Sequence, residues 1–329
     1  MVWKGPLIDG VTQSLISRFL ECPYAFYLYA IMGVQEDTPP PENMVWGDTF
    51  HKGLEILLDT KSRSAASEAM IDHLATKYPA APASFKVTTT KMLDLYKIKN
   101  NHMDAEWQTE LVLDLYYKIR GYNVRFRGKL DGLTYDHPDY PALMVEHKCK
   151  GYIDPLQVRD ELHLDLQCNL YMFLHDVEFV AYDLIKIPEA QKYGPPPSYG
   201  ETAADWADKL FHGPVGSYGG NYPIHKAPHK WVHQSVYTIT EEQQQTYWNT
   251  TIIPLVLRMI EWYEYVTSSE FSIEDPASYG PIFYRHPIRH FSGRKTESFK
   301  CPYYSYLVGQ SDITDLIPVS SYYSELENV

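Results

Sequence analysis

Two acids and a lysine carry the densest chemical signal in this sequence. Asp131 lies in Gly128-Lys129-Leu130-Asp131-Gly132, and fifteen residues later comes Val145-Glu146-His147-Lys148. Side chains alternate along a strand, so Glu146 and Lys148 share a face if this stretch is extended. Asp131, near the end of the preceding strand, can meet them there. Two converging carboxylates repel unless a cation lies between them. Hard oxygen donors in small number suit Mg²⁺ or Mn²⁺, ions that keep waters and bind phosphate oxygens. A lysine beside such an ion can hold the attacking water and offset charge on a pentavalent phosphate. The chemistry this spacing allows is phosphodiester hydrolysis. An acid-x-lysine triplet alone is common on solvated surfaces, but Leu130 and Met144-Val145 give these acids core-like flanks.

Two further pairs have helical spacing. Gly47-Asp48-Thr49-Phe50-His51 puts Gly47 and His51 one turn apart, with the glycine permitting close backbone approach. Gln167-Cys168-Asn169-Leu170-Tyr171 does the same for Gln167 and Tyr171.

The elements that must position these residues follow from periodicity and turn signals. Ser14 is an N-cap candidate for a helix that continues past Cys22-Pro23 to Tyr29. Helices are expected over 45–58, 65–78 and 88–103. Strands are expected over 110–117, 122–135 and 142–149, punctuated by Gly121 and by Asp136-His137-Pro138-Asp139, as an antiparallel meander. A helix over 159–175 and a strand over 179–187 come next. Residues 189–230, rich in Pro, Gly and Tyr, read as an insertion with one helix near 203–211. A further strand near 231–240, a long helix over 241–267 and a short helix near 302–307 complete the chain. This divides it into an N-terminal helical region (1–107), a core (108–190) and a C-terminal region (191–329).

In this order and frame, Gly-x-x-x-His, Gly-x-x-Asp, Glu-x-Lys and Gln-x-x-x-Tyr resemble the PD-(D/E)XK nuclease superfamily. The likeness is to its RecB-like branch, which includes the AddB nuclease domain and the CRISPR-associated iron–sulfur exonucleases. It covers roughly residues 14–190 and returns weakly near 299–307. It implies an α/β fold with the restriction-endonuclease-like αβββαβ core, a mixed central sheet and extra helical segments at both ends. It also implies roles. Asp131, Glu146, His51 and the main-chain carbonyl of His147 would hold one or two Mg²⁺ or Mn²⁺ ions. Lys148 would be the catalytic lysine, Gln167 and Tyr171 would position DNA or the active-site helix, and Glu110 would be a supporting acid. The implied activity is hydrolysis of DNA, most readily as an exonuclease in recombination, repair or processing, with a phage source among the expectations. Its rivals are a structure-specific endonuclease and a catalytically idle DNA-binding or assembly subunit on the same fold.

One departure matters. Iron–sulfur members of that branch use one N-terminal cysteine and three near the C-terminus. Cys22 and Cys301, each in Cys-Pro-Tyr, resemble one of each, but Cys149 and Cys168 lie within the core motifs. Two thiolates cannot hold a Cys₄ cluster, so none is expected.

The 329 residues are 44% hydrophobic and 22% charged, as in ordinary globular proteins, and can bury a large core. The net charge of −13 argues against nucleic acid as a partner. Metal bridging and a local basic island soften that objection. Arg285, Arg289, Arg294, Lys295 and Lys300, interleaved with Phe283, Tyr284, Phe291 and Phe299, form such an island, and the first four are candidate DNA contacts. His225, His229 and His233 recur every four residues, but Pro223 and Pro228 argue against a helical zinc site. There is no signal-peptide pattern, no run of about 18 apolar residues, and no G-x-x-x-x-G-K-[ST] loop. The expectation is a cytoplasmic chain with no membrane partner, whose motor, if one is needed, is a separate helicase or recombination protein.

Overall fold

The computed structural model describes residues 2–35, 37, 39–100, 104–151, 162–188, 231–275, 279 and 312–319. Helices α1 (Gln13–Glu21) and α2 (Pro23–Ala30) precede a two-residue strand, β1 (Val34–Gln35). Helices α3 (Glu42–Thr60), α4 (Arg63–Lys77) and α5 (Ala83–Lys99) follow. Then come β2 (Gln108–Ile119), β3 (Tyr122–Thr134), β4 (Leu143–Lys150), α6 (Leu166–His175) and β5 (Phe179–Lys186). Beyond the undescribed 189–230 lie β6 (Val232–Thr238), α7 (Glu241–Tyr247), α8 (Ile253–Val266) and the short β7 (Ile317–Pro318).

The central sheet has the order β2-β3-β4-β5-β6. β3 and β4 pair antiparallel, β4 and β5 parallel, and β5 and β6 antiparallel. The sheet is therefore mixed, and the helix–three strands–helix–strand order matches the expected restriction-endonuclease-like α/β core. Parallel pairing of β4 and β5 requires a crossover, which α6 supplies. β4 and β5 lie inside the sheet and are apolar on both faces at their starts, which is why they read as continuous hydrophobic runs. β2 and β3 are joined at Arg120-Gly121, both left-handed (φ 46° and 96°), the two-residue turn that suits twisted hairpins.

Residue packing groups the chain into two compact units that cross the three sequence segments. One comprises 1–39, 112–129 and 242–329; the other comprises 40–111 and 130–241. The first unit is held by an aromatic cluster. Trp3, Phe19, Phe26 and Trp262 meet edge-on or tilted at 5.1–5.6 Å between ring centroids, and β1 pairs with β7. The second unit packs α3, α4 and α5 on one face of the sheet. Trp46, Phe50, Leu54 and Leu57 of α3 share a core with Met70, Met92, Tyr96, Ile185 and Val232. Leu58 joins Trp107, Leu143, Val145 and Ala181 in a second core.

Several boundaries differ from the sequence expectation. Thr12, and not Ser14, caps α1 by accepting the Leu15 N–H at 3.1 Å, while Ser14 bonds Thr12. The run to Tyr29 is two helices, because the residue before a proline is driven out of the helical region. Cys22 is extended (φ −167°), and its sulfur caps α2 by accepting the Ala25 N–H. α6 starts at Leu166, since Asp165 accepts the Cys168 N–H and resets the helix there. The expected 241–267 helix is broken by a π stretch at Trp248–Ile252, just before Pro254, which has no N–H to donate. The expected helices near 203–211 and 302–307 lie outside the described residues.

Candidate active site

The site grows from a fork in the sheet. β3 and β4 are in register at Gly132↔Val145, Leu133↔Met144 and Thr134↔Leu143. One residue further on, the Asp131 carboxylate accepts the His147 N–H at 2.7 Å. A side chain has taken the place of a backbone acceptor, which satisfies a buried donor and fixes the carboxylate at the mouth of the fork. The glycine beside it is tightly enclosed. A Cβ on Gly132 would lie 2.9 Å from Val145 Cγ1 and 3.2 Å from Trp107. Gly47 is less constrained than its motif position suggests. A Cβ there would meet Cys149 Cβ at 3.5 Å, an ordinary contact.

Alternation along β4 sorts the remaining groups onto two faces. Glu146 and Lys148 point toward α6. Their side chains form an ion pair, Lys148 Nζ donates to Gln167 Oε1 at 2.7 Å, and Gln167 Nε2 donates back to Glu146 Oε2 at 2.9 Å. The three residues thus close a ring, placed by β4 and by the first turn of α6. Glu146 is 2% exposed, whereas the Lys148 side chain is 26% exposed. The opposite face of β4 carries His147 and Cys149, toward α3 and α5. His51 reaches it from α3, with its Nδ1 3.6 Å from Asp131 Oδ1, and His147 Nδ1 lies 3.3 Å from Asp131 Oδ2.

The charges of the site are mutually dependent. Burial would push the Asp131 carboxyl up, but the His51 charge and hydrogen bonds from His147 and His51 hold it well below the usual range. Burial opposes the charged form of His51, yet the Asp131 carboxylate beside it raises the imidazole well above its ordinary value. Burial dominates at Glu146; against Lys148, and with Asp131 adding repulsion, it pushes this carboxyl up to about 7. Lys148 stays firmly charged because Glu146 outweighs the cost of its burial.

One donor of His51, Asp131 and His147 can be chosen so that all three lie within 4.8 Å of one another. Two imidazole nitrogens and a carboxylate oxygen are a donor set that fits a divalent cation. Sequence reasoning expected the His147 carbonyl as a ligand; the group the structure brings to this cluster is the His147 imidazole. Tyr171 is 5% exposed on α6. Glu110 sits on β2 with a left-handed backbone (φ 54°), an unusual conformation for a side-chain-bearing residue. Arg285, Arg289, Arg294, Lys295 and Cys301 lie outside the described residues, as do His225 and His229. His233 bonds Ser235 on β6.

Three contributors went unnoticed in the sequence. Tyr96, on α5, places its hydroxyl 2.9 Å from His147 Nε2 and donates to Asp183 Oδ2 at 2.7 Å. Asp183 is wholly buried on β5 beside His147, and Gln234 on β6 donates to it at 3.1 Å. A carboxylate in the middle of the apolar run Phe179–Lys186 was the available signal for Asp183. Tyr96, one tyrosine among 28, had none.

Comparison with known proteins completes the description. Two solved structures are similar over most of their length. The protein SSO0001 matches at 13% identity and a TM-score of 0.30, over 82% of this chain and 97% of its own. A phage-related exonuclease from Haemophilus somnus 129PT matches at 16% identity and a TM-score of 0.28, over 65% of this chain and 92% of its own. No curated protein gives a significant sequence match. Residues 11–184 match the family model of the PD-(D/E)XK nucleases, a span that contains His51, Asp131, Glu146, Lys148 and Gln167. The chain belongs to the PD-(D/E)XK nuclease superfamily.

Proposed function

We propose that this chain is a divalent-metal-dependent DNA nuclease, acting as an exonuclease in recombination, repair or DNA processing. The observation that carries the reading is the closed ring of Glu146, Lys148 and Gln167, set directly beside the Asp131 fork. A buried acid, a charged lysine and a second acid adjoin, as hydrolysis of a phosphodiester requires. Asp131, Glu146, His51 and His147 are the residues that would hold the cation. Bound there, a divalent ion would polarise the phosphate and make water a better nucleophile at neutral pH. Lys148, aimed by Gln167, offers its ammonium group to the phosphate as negative charge builds. Asp131, locked by the His147 N–H, keeps its carboxylate in place without reorganising.

Digestion of end-labelled linear and covalently closed circular single strands, with Mg²⁺ or Mn²⁺ and with chelator, tests both levels. Cleavage of linear DNA that chelator abolishes and that spares closed circles is the expected result. Cutting of closed circles would overturn the exonuclease assignment. Full activity in chelator would overturn the metal dependence. Inactivity on every DNA and ion tried would sink the nuclease reading of this site.

A further inference from the structure

The Tyr96–Asp183 pair fixes which nitrogen of His147 faces the cation cluster. The Tyr96 hydroxyl has one proton, and it goes to Asp183 Oδ2 at 2.7 Å. Toward His147 Nε2, 2.9 Å away, the hydroxyl oxygen must therefore accept. The network places a proton on Nε2 and leaves Nδ1 as the nitrogen that faces Asp131. Nδ1 lies 3.3 Å from Asp131 Oδ2. In the metal-free chain a proton on Nδ1 can bridge this gap, and a cation bound there would take that proton's place. His51 Nδ1 stands 3.6 Å from the other Asp131 oxygen, so two imidazoles flank one carboxylate. Separations of 3.3–3.6 Å suit neighbouring donors that each lie about 2.0–2.2 Å from a common ion.

Asp183 bears a cost that packing alone does not explain. It is wholly buried, its Oδ2 accepts from Tyr96 and Gln234, and its Oδ1 has no hydrogen-bond partner among the described residues. A buried carboxylate satisfied on one oxygen destabilises a fold relative to an apolar side chain of similar size. Its position on β5 directly opposite His147 puts it where it can order the imidazole through Tyr96.

We infer that His147 ligates the cation through Nδ1, and that Tyr96 and Asp183 are positioning residues that hold it in the Nε2–H tautomer. This rests on the metal-dependent reading of the site. Two nitrogen donors also set the ion preference. Imidazole suits transition ions, whereas Mg²⁺ prefers oxygen and retains its waters. The site is thereby matched to Mn²⁺ above Mg²⁺.

The test is binding of the metal alone to the intact chain, by calorimetric titration with MnCl₂ and MgCl₂, and ¹⁵N-histidine NMR of the metal-free protein. Wild type is expected to show His147 with Nε2 protonated and to bind Mn²⁺ about tenfold or more tighter than Mg²⁺. His147→Gln and Tyr96→Phe should each weaken Mn²⁺ binding about ten- to a hundredfold and leave Mg²⁺ within about twofold. Asp183→Leu removes the acceptor, so Tyr96 donates to His147 Nε2 and the tautomer reverses; Mn²⁺ affinity should fall although the fold gains an apolar side chain. Asp183→Asn still accepts the Tyr96 proton and should keep both tautomer and affinity. Wild-type Mn²⁺ affinity in His147→Gln would overturn the ligand assignment. An unchanged tautomer and Mn²⁺/Mg²⁺ ratio in both Tyr96→Phe and Asp183→Leu would overturn the positioning role. A protein that binds Mn²⁺ as expected yet cuts no DNA would overturn the nuclease reading and leave this inference standing.

Discussion

On one face of β4, Glu146 and Lys148 carry opposite charges and close a ring with Gln167. On the other, His147 meets Tyr96, and through it Asp183 and Gln234, in a buried network fixed by α5 and two neighbouring strands. The first face can exchange partners, because its lysine is part exposed and its three members bond mainly to one another. The second cannot, since each member is pinned by a separate element. Asp131 is the hinge between them, with its carboxylate on the His147 N–H and its charge felt by Glu146. A single strand thus separates groups that can reorganise around a phosphate from groups that hold a ligand in place. Changes on the first face should cost activity, changes at the fork should cost order, and changes on the second face should cost metal affinity.

The largest effect should come from Lys148→Ala. Loss of the ammonium group should lower cleavage by about 10²–10³-fold, the typical loss when one electrostatic stabiliser is removed. Mn²⁺ binding measured calorimetrically should persist, because His51, Asp131 and His147 are untouched. Wild-type cleavage by this variant would remove the ring from the chemistry altogether.

Gly132→Ala breaks the comparison at its hinge. The added methyl would sit 2.9 Å from Val145 Cγ1 and 3.2 Å from the Trp107 ring, neither of them a flexible side-chain end. A loss of about 1–3 kcal/mol of stability is expected in denaturant titration, as for other overpacked sites. Both faces should suffer together, since β3 would have to move and carry Asp131 with it. Gly47→Ala is the control: its methyl would make an ordinary 3.5 Å contact with Cys149, and little should change.

Much of this division was legible in the sequence, and the missing parts share a cause. The acid–acid–lysine pattern survived because strand alternation is a local rule, so Glu146 and Lys148 had to share a face. The helix–strand order was legible from periodicity and from turn residues such as Gly121. What failed was anything set by a competing local bond or by distant contacts. Asp165 resets α6 through one side-chain hydrogen bond, and Pro254 opens a π stretch where periodicity runs on unbroken. The roles of Tyr96 and Gln234 depend on contacts across 87 and 51 residues of chain, which no spacing rule records. Gly47 stood out by its place in a motif, while Gly132 was the glycine that packing confined.

Gln167→Ala gives a finer test of the charged face. Glu146 and Lys148 keep each other, so the ring opens without leaving a buried charge alone. One hydrogen bond to each is lost, each worth about 0.5–1.5 kcal/mol, and the loss of one such contribution in the transition state is roughly twofold to thirteenfold in rate. Single-turnover cleavage should register that loss while Mn²⁺ affinity stays level. A deficit as large as that of Lys148→Ala would mean that the glutamine itself contacts substrate.

The smallest expected effect separates the helix that carries His51 from the site it serves. Asp48, one turn before His51 on α3, faces α4 and accepts from His73 at 2.6 Å, Tyr78 at 2.9 Å and Lys77 at 3.1 Å. Burial opposes its charge, but these three partners outweigh burial and hold its carboxyl below the usual value of 3.8. A carboxyl whose pKa is lower folded than unfolded adds stability that is complete above the unfolded value and disappears as pH falls through the folded one. Asp48→Asn should therefore cost about 1–2 kcal/mol at neutral pH in urea unfolding. The gap from wild type should hold steady down to about pH 4 and close below it. Cleavage at neutral pH should change little, because none of these partners touches His51 or Asp131. If Asp48→Asn lost activity in step with stability, the anchoring of α3 on α4 would be part of what places His51, and the boundary between ordering and reacting groups would run through α3 and not along β4.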